Sequence, residues 1–147
     1  MINWQLKTFD TLTPTELYTI LRLRSEVFVV EQNCVFLDMD DRDQASSHLM
    51  AWEENKLVAY TRLLPAGVAY NIPSIGRVVT SPTERGFGLG KLLMTKSIEA
   101  CEQLYGKTPI RIGAQLYLKG FYESLGFSQS SGVYDEDGID HIEMTRP

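Results

Sequence analysis

The chain has 147 residues, 44% of them hydrophobic, and a formal net charge of −5 at pH 7, which is enough apolar content for one domain with its own core. The acidic balance argues against broad nucleic-acid binding, which relies on clustered Lys and Arg; it suits a cationic acceptor and equally suits ordinary solubility. No apolar run reaches the length of a signal peptide or a membrane span, so a soluble, cytoplasmic protein without membrane association is expected. Cys34 and Cys101 have no CxxC partner and are expected as reduced thiols.

Residues 2–9 alternate apolar Ile2, Trp4 and Leu6 with polar Asn3, Gln5 and Lys7, the period of a half-buried strand. Thr13-Pro14-Thr15-Glu16 sets a helix start, with Thr13 as N-cap, Pro14 at the first helical position and Glu16 completing a capping box. The pattern predicts a helix to about residue 30. Its apolar stripe of Leu17, Ile20, Leu21, Val27 and Phe28 includes Arg24, and a guanidinium on a core-facing stripe needs a carboxylate, a carbonyl or a ligand. Glu31 lies on the same face if the helix continues, so Arg24 is either a bracing ion pair or part of an acceptor site.

The acidic stretch 38–43 has Asp43 where a calcium loop needs glycine and Leu49 where it needs a bidentate glutamate, so no metal site is expected. It reads as a solvated loop or as a rim that attracts an ammonium group. Two strand-like runs, 48–53 and 56–64, flank Glu54-Asn55 and predict a hairpin. His48 opens the first run, either as a surface residue or as a proton acceptor near neutral pH.

After the turn-rich connector 65–73, the run ending in Val78, Val79 and Thr80 is a strand stopped by Ser81-Pro82. Arg85-Gly86-Phe87-Gly88-Leu89-Gly90-Lys91 follows, and Met94, Ile98, Cys101 and Tyr105 then recur at helical spacing. Glycines at a strand-to-helix turn let backbone approach a ligand, and the first helical N–H groups are donors without intrahelical partners. A Walker A loop is excluded because Arg85 stands at the first glycine position and Leu92 follows Lys91; a dinucleotide fingerprint is excluded because neither Lys91 nor Leu93 is glycine.

A strand over 110–114 and a helix from Leu116 to Ser124 with Gly126 at its left-handed cap come next. Two closing strands, 127–133 and 139–144, are predicted around a loop 134–138 that contains Asp137-Gly138. The element order gives an α/β domain over 1–147 with a mixed, mostly antiparallel sheet of about seven strands flanked by helices.

Arg85 to Gly90 fits R/Q-x-x-G-x-G/A, and with its strand and helix it resembles motif A of the GNAT superfamily of N-acetyltransferases. Gln115 to Phe127 resembles motif B of the same superfamily, with Gln115 in place of the usual Asn and Leu118 in place of Ala. Arg24-Ser25-Glu26-Val27-Phe28-Val29-Val30-Glu31-Gln32-Asn33-Cys34, followed by Asp38, Asp40, Asp43 and His48, is similar to the ElaA-like branch. The resemblance implies the acyl-CoA N-acyltransferase fold, acetyl-CoA as co-substrate and an amine acceptor, small or peptidic, attacking the thioester directly. It implies backbone of Val78, Val79 and Thr80 along pantetheine, the pyrophosphate at Arg85, Gly86, Phe87, Gly88, Leu89, Gly90 and Lys91, Gln115 beside the donor, and Tyr122 as proton donor to the leaving thiolate. A homodimer through sheet edges is compatible with it.

Many members carry a basic Glu just before the motif A valines, where this chain has Ser74, Ile75, Gly76 and Arg77. The search for a base therefore moves to His48 and Glu31, with Arg24, Asp43 and Arg62 as acceptor contacts. Cys34 as a nucleophile has only its thiol to recommend it. The alternatives are a non-catalytic acyl-CoA sensor, against which an intact Tyr122 argues, and an acyl-homoserine lactone synthase, against which the short chain argues.

Overall fold

A computed structural model describing residues 1–147 begins with β1 (Ile2–Thr8) and α1 (Pro14–Arg24). The capping box forms in full: the Glu16 N–H donates to Thr13 Oγ1 at 3.1 Å and the Thr13 N–H donates to Glu16 Oε1 at 2.8 Å. The helical run then widens into a π-helical segment, Ser25–Glu31, where bonds span five residues, from Gln32 N–H to the Val27 carbonyl and from Cys34 N–H to that of Val29. This extra residue per turn breaks the expected phase. Arg24 and Val27 remain buried, whereas Glu31 is turned outward and does not meet Arg24.

β2 (Ser47–Glu53) and β3 (Lys56–Leu64) form the predicted hairpin, followed by β4 (Ser74–Thr80), α2 (Leu89–Tyr105), β5 (Ile110–Gln115) and the short α3 (Lys119–Glu123). The last segment departs from expectation. Only Ser128–Gln129 (β6) is extended in the first closing run, and Tyr134–Glu136 (β7), expected within a loop, pairs with β8 (Ile139–Arg146). Asp137 at φ 53° and Gly138 at φ 83° make a two-residue turn, the geometry that matches strand twist in a tight hairpin. The sheet therefore has eight strands, ordered β1-β2-β3-β4-β5-β8-β6 with β7 also on β8.

Alternation along β2 covers both faces: Met50 packs with Ile20, Leu23 and Val27 under α1, while Leu49 and Ala51 pack with Leu89 and Leu93 of α2. A larger core joins α2 and Tyr122 of α3 to Ile110, Ile112 and Ala114 of β5. Beyond one parallel pair, Ser74 with Arg111, β4 and β5 separate. Backbone groups facing each other across that gap have no strand partner, and buried ones need one. No helix is long and apolar enough to cross a membrane.

Candidate active site

The gap between β4 and β5 opens into a cleft of about 770 Å³, walled by Ile75 to Thr80 on one side and Ile112 to Gln115 on the other. At one end lies the glycine-rich turn. Gly86 at φ 89° and Gly88 at φ 78°, the N-cap of α2, are left-handed, and nothing stands within 4 Å of where a Cβ would project from either. No acidic side chain occupies the first turn of α2, so the positive helix end is left open to an anion. Arg85 and Gly90 line the cleft itself, Phe87 and Lys91 are exposed, and Leu89 turns its side chain into the core and offers only backbone. These features fit an extended thioester carrier with a diphosphate.

Arg85 also meets Glu31 across the cleft mouth, with bonds of 2.8 and 2.6 Å. Those hydrogen bonds hold the Glu31 carboxyl below the usual carboxylate range, which weakens it as a base. Both partners are over two-fifths exposed, and such pairs are worth only ~0–1 kcal/mol, so Arg85 is readily released. Nearby, Gln115 Nε2 approaches Gln32 Oε1 at 3.4 Å.

The expected acceptor contacts are placed elsewhere. Arg24, fully buried, bonds Asp38 through Nε at 2.8 Å and Asp43 through Nη1 at 2.7 Å. Asp43 also meets Arg62 at 2.9 Å, Arg62 meets Asp40 at 2.8 Å, and Arg77 closes the circuit to Asp40 at 3.4 Å and Asp38 at 2.8 Å. Three guanidinium groups and three carboxylates thus alternate in a ring, so the acidic stretch is a charge-balanced structural element and not a solvated loop. Of the six, Asp40 and Arg77 reach the cleft; Arg24, Asp43 and Arg62 lie behind its wall. Arg77 sits at φ 49° where two residues of β4 oppose one of β3, a bulge that aims its side chain into the ring.

His48 also departs from expectation. It is fully buried and does not line the cleft. Its Nε2 lies 2.9 Å from the Asp43 carbonyl and its Nδ1 2.6 Å from the Tyr60 hydroxyl, so Nε2 donates, Nδ1 accepts, and no lone pair is left for a substrate. Burial, reinforced by the charges of Arg24 and Arg62, pushes its pKa down, and the ring acts as a neutral strut. Cys34 is buried at the cleft wall, with Sγ 3.2 Å from the Asp137 carbonyl.

Tyr122 reaches the cleft from α3, held edge-on by Phe121 and Phe127 with centroids 5.1 and 6.0 Å away. Burial pushes its phenol up to about 12, so it is protonated at neutral pH.

Residues 15–146 match the acetyltransferase (GNAT) domain family. The chain belongs to this family. It is 42% identical to protein ElaA of Escherichia coli over 148 residues, spanning 99% of this chain and 97% of that protein. The crystal structure of E. coli ElaA superposes with a TM-score of 0.94 at 41% identity, with 100% of both chains covered. An acyl-CoA N-acyltransferase from Pseudomonas aeruginosa superposes with a TM-score of 0.96 at 43% identity, again over 100% of both. The acyl-homoserine lactone synthase LasI, at 12% identity and a TM-score of 0.77 over 99% of this chain and 89% of its own, shares the fold alone. As a GNAT protein the chain is an acyltransferase of a family that binds acyl-CoA.

A second histidine, outside the sequence expectations, does face this GNAT cleft. His141 lines it together with Glu136 and Asp137. Its signal was present: on β8, His141, Glu143 and Thr145 alternate with core Ile142 and Met144, so they share the opposite face of the sheet.

Proposed function

We propose that this GNAT protein is an acetyl-CoA-dependent N-acetyltransferase of the cytoplasm that acylates an amine by direct attack within a ternary complex. The observation that carries the reading is the unzipped pair β4 and β5, with an unobstructed left-handed glycine turn at one end and the Tyr122 phenol in its wall. Backbone of Val78, Val79 and Thr80 offers strand-like hydrogen bonds to a pantetheine amide, and the start of α2 with Arg85 and Lys91 offers donors and positive charge to a diphosphate. Tyr122 supplies a proton, or a charge-assisted hydrogen bond, where negative charge collects on sulfur. Carboxylates of Glu136 and Asp137 at the cleft favour a cationic acceptor.

Free-thiol release from acetyl-CoA, followed across a panel of alkyl, aryl and peptidyl amines, tests the proposal. Amine-dependent release with a stoichiometric acetylated product is expected; tight acetyl-CoA binding without release from any amine would replace it by a sensor role.

Gly88→Leu tests the donor site. Adopting the left-handed conformation costs a non-glycine residue about 1–2 kcal/mol, and the open space around the position lets the fold tolerate the side chain. Calorimetry is expected to show acetyl-CoA binding lost while the circular dichroism of the native fold persists. Retained binding would move the diphosphate away from this turn.

A further inference from the structure

His141 lies directly across from Gln115 in the β5–β8 register, so the two side chains leave the sheet on the same face, beside the slot the motifs mark. The residue is 7% exposed and its ring borders the cleft. Nδ1 is 2.8 Å from the Ile139 carbonyl. A carbonyl only accepts, so Nδ1 carries the hydrogen and the lone pair of the neutral ring is on Nε2. Nε2 in turn lies 3.2 Å from Glu136 Oε2, and the Tyr134 ring stacks on the imidazole at 6.0 Å and 29°. The two-residue turn builds this arrangement by pairing Tyr134 with His141 and Glu136 with Ile139.

In contrast with His48, whose nitrogens are both spent on core groups, His141 directs one nitrogen at a carboxylate that is 57% exposed and able to swing aside. A neutral ring with its hydrogen on Nδ1 leaves the Nε2 lone pair beside the Glu136 carboxylate, 3.2 Å from Oε2. A primary ammonium placed there donates to both.

We propose that His141 and Glu136 form the seat of the acceptor ammonium and that His141 Nε2 takes the proton that must leave before the amine attacks. This rests on the transferase reading above. The balance is complete. The ammonium gives one proton to Nε2, and its freed lone pair forms the C–N bond to the thioester carbonyl. The C–S bond breaks with its electron pair on sulfur, and the second N–H proton ends on that sulfur by way of Tyr122. The imidazolium returns its proton to solvent past Glu136, so one proton is released per turnover.

The chemistry explains the need. A primary alkyl amine of pKa ~10.4 is almost wholly cationic at pH 7 and must lose a proton before it attacks, and a free imidazole nitrogen within hydrogen-bond reach is a side-chain acceptor for it. The other ionisable groups around the ring are Tyr134 and Glu136 of β7, Asp137 of the turn, Glu143 of β8 on the same face, and Cys34, Asp40, Arg42 and Arg77 along the cleft. Tyr70 and Arg111 lie further along that face, where the Tyr70 and Tyr134 hydroxyls converge over Gly113. Of the three cleft arginines, Arg77 is committed to the ion-pair ring and Arg85 is paired with Glu31 at the mouth. The seat therefore selects an amine that is charged in solution.

The test compares wild type, His141→Gln and Glu136→Gln with a primary alkylamine, n-butylamine, and with aniline, which is uncharged at pH 7. His141→Gln is expected to lower kcat/KM for butylamine ~10²-fold at pH 7, as loss of a general base does. The deficit should shrink as pH rises toward the amine's own ionisation, and it should be at least ~10-fold smaller with aniline. Glu136→Gln, at a side chain too exposed to endanger folding, should raise KM for butylamine and not for aniline. Acetyl-CoA affinity should match wild type in both variants. A loss equal at every pH and for both amines, or no loss at all, overturns the seat while wild-type turnover upholds the transferase. Wild type silent with every amine overturns the transferase reading and the seat together.

Discussion

Replacing Asp43 by Asn is expected to destabilise the fold by about 3–5 kcal/mol, the cost of breaking a buried ion pair and leaving its partners uncompensated. One Asp43 oxygen, Oδ1, accepts from Arg24 at 2.7 Å and from Arg62 at 2.9 Å, so a neutral amide leaves two buried guanidinium groups short of one charge. The Asp43 carbonyl also accepts from His48, which ties the ring to β2. At ~2–4 °C of melting temperature per kcal/mol for a domain of this size, the midpoint should fall by roughly 10 °C. Urea unfolding of Asp43→Asn beside exposed Asp140→Asn, which should stay within ~0.5 kcal/mol of wild type, measures it. A loss under ~1 kcal/mol for Asp43→Asn would mean that the ring does not hold the loop.

The same ring sets the acid limit of stability. Burial alone would raise the carboxyls of Asp43 and Asp40, but hydrogen bonds and charge from Arg24 and Arg62 outweigh it and hold both low, Asp40 at about 2. Because the folded values lie below the unfolded value of ~3.9, the contribution is complete above that pH and lost as pH falls toward 2. His48 acts earlier: kept neutral by burial, with its folded value pushed down, it begins to subtract stability below ~6.5. In Asp43→Asn the loss between pH 4 and 2 should be shallower than in wild type, because one of its carboxyls is gone.

What could be read along the chain was what short-range physics settles. The capping box at Thr13 and Glu16, the Asp137-Gly138 turn and the glycine cradle each lie within a few residues, and each formed. Arg24 announces a need for a carboxylate, a carbonyl or a ligand, because a guanidinium on an apolar stripe is too costly to bury unpaired. Its partners could not be read, since they sit 14 and 19 residues away and the π-helical turn removes the nearer candidate, Glu31, from its face. For the same reason the aspartates of 38–43 passed for a solvated rim: their counter-charges are spread over α1, β3 and β4. The two histidines exchange roles because position along a strand does not report depth. His48 stands second in β2 under the loop that covers it, while His141 occupies a strand's polar face toward the cleft.

Replacing Tyr122 by Phe is expected to lower kcat ~10²-fold or more, in the range for a lost general acid, while acetyl-CoA affinity stays within ~2-fold. The ring keeps its contacts with Phe121 and Phe127, so only the hydroxyl is removed, and it acts chiefly as charge develops on sulfur. A phenol raised to about 12 looks too weak an acid for a thiolate leaving group in water. The site is not water, however: burial pushes the Cys101 thiol of this same chain up to about 11, and a CoA thiol enclosed in the cleft is subject to the same desolvation. Desolvation therefore acts in the same direction on donor and leaving group. If Tyr122 is the proton donor, its protonated form persists up to about pH 12, so the wild-type kcat profile should carry no basic limb from Tyr122 in the pH range where the protein is folded. Turnover unchanged in Tyr122→Phe would assign the residue to packing alone and leave protonation of sulfur to solvent.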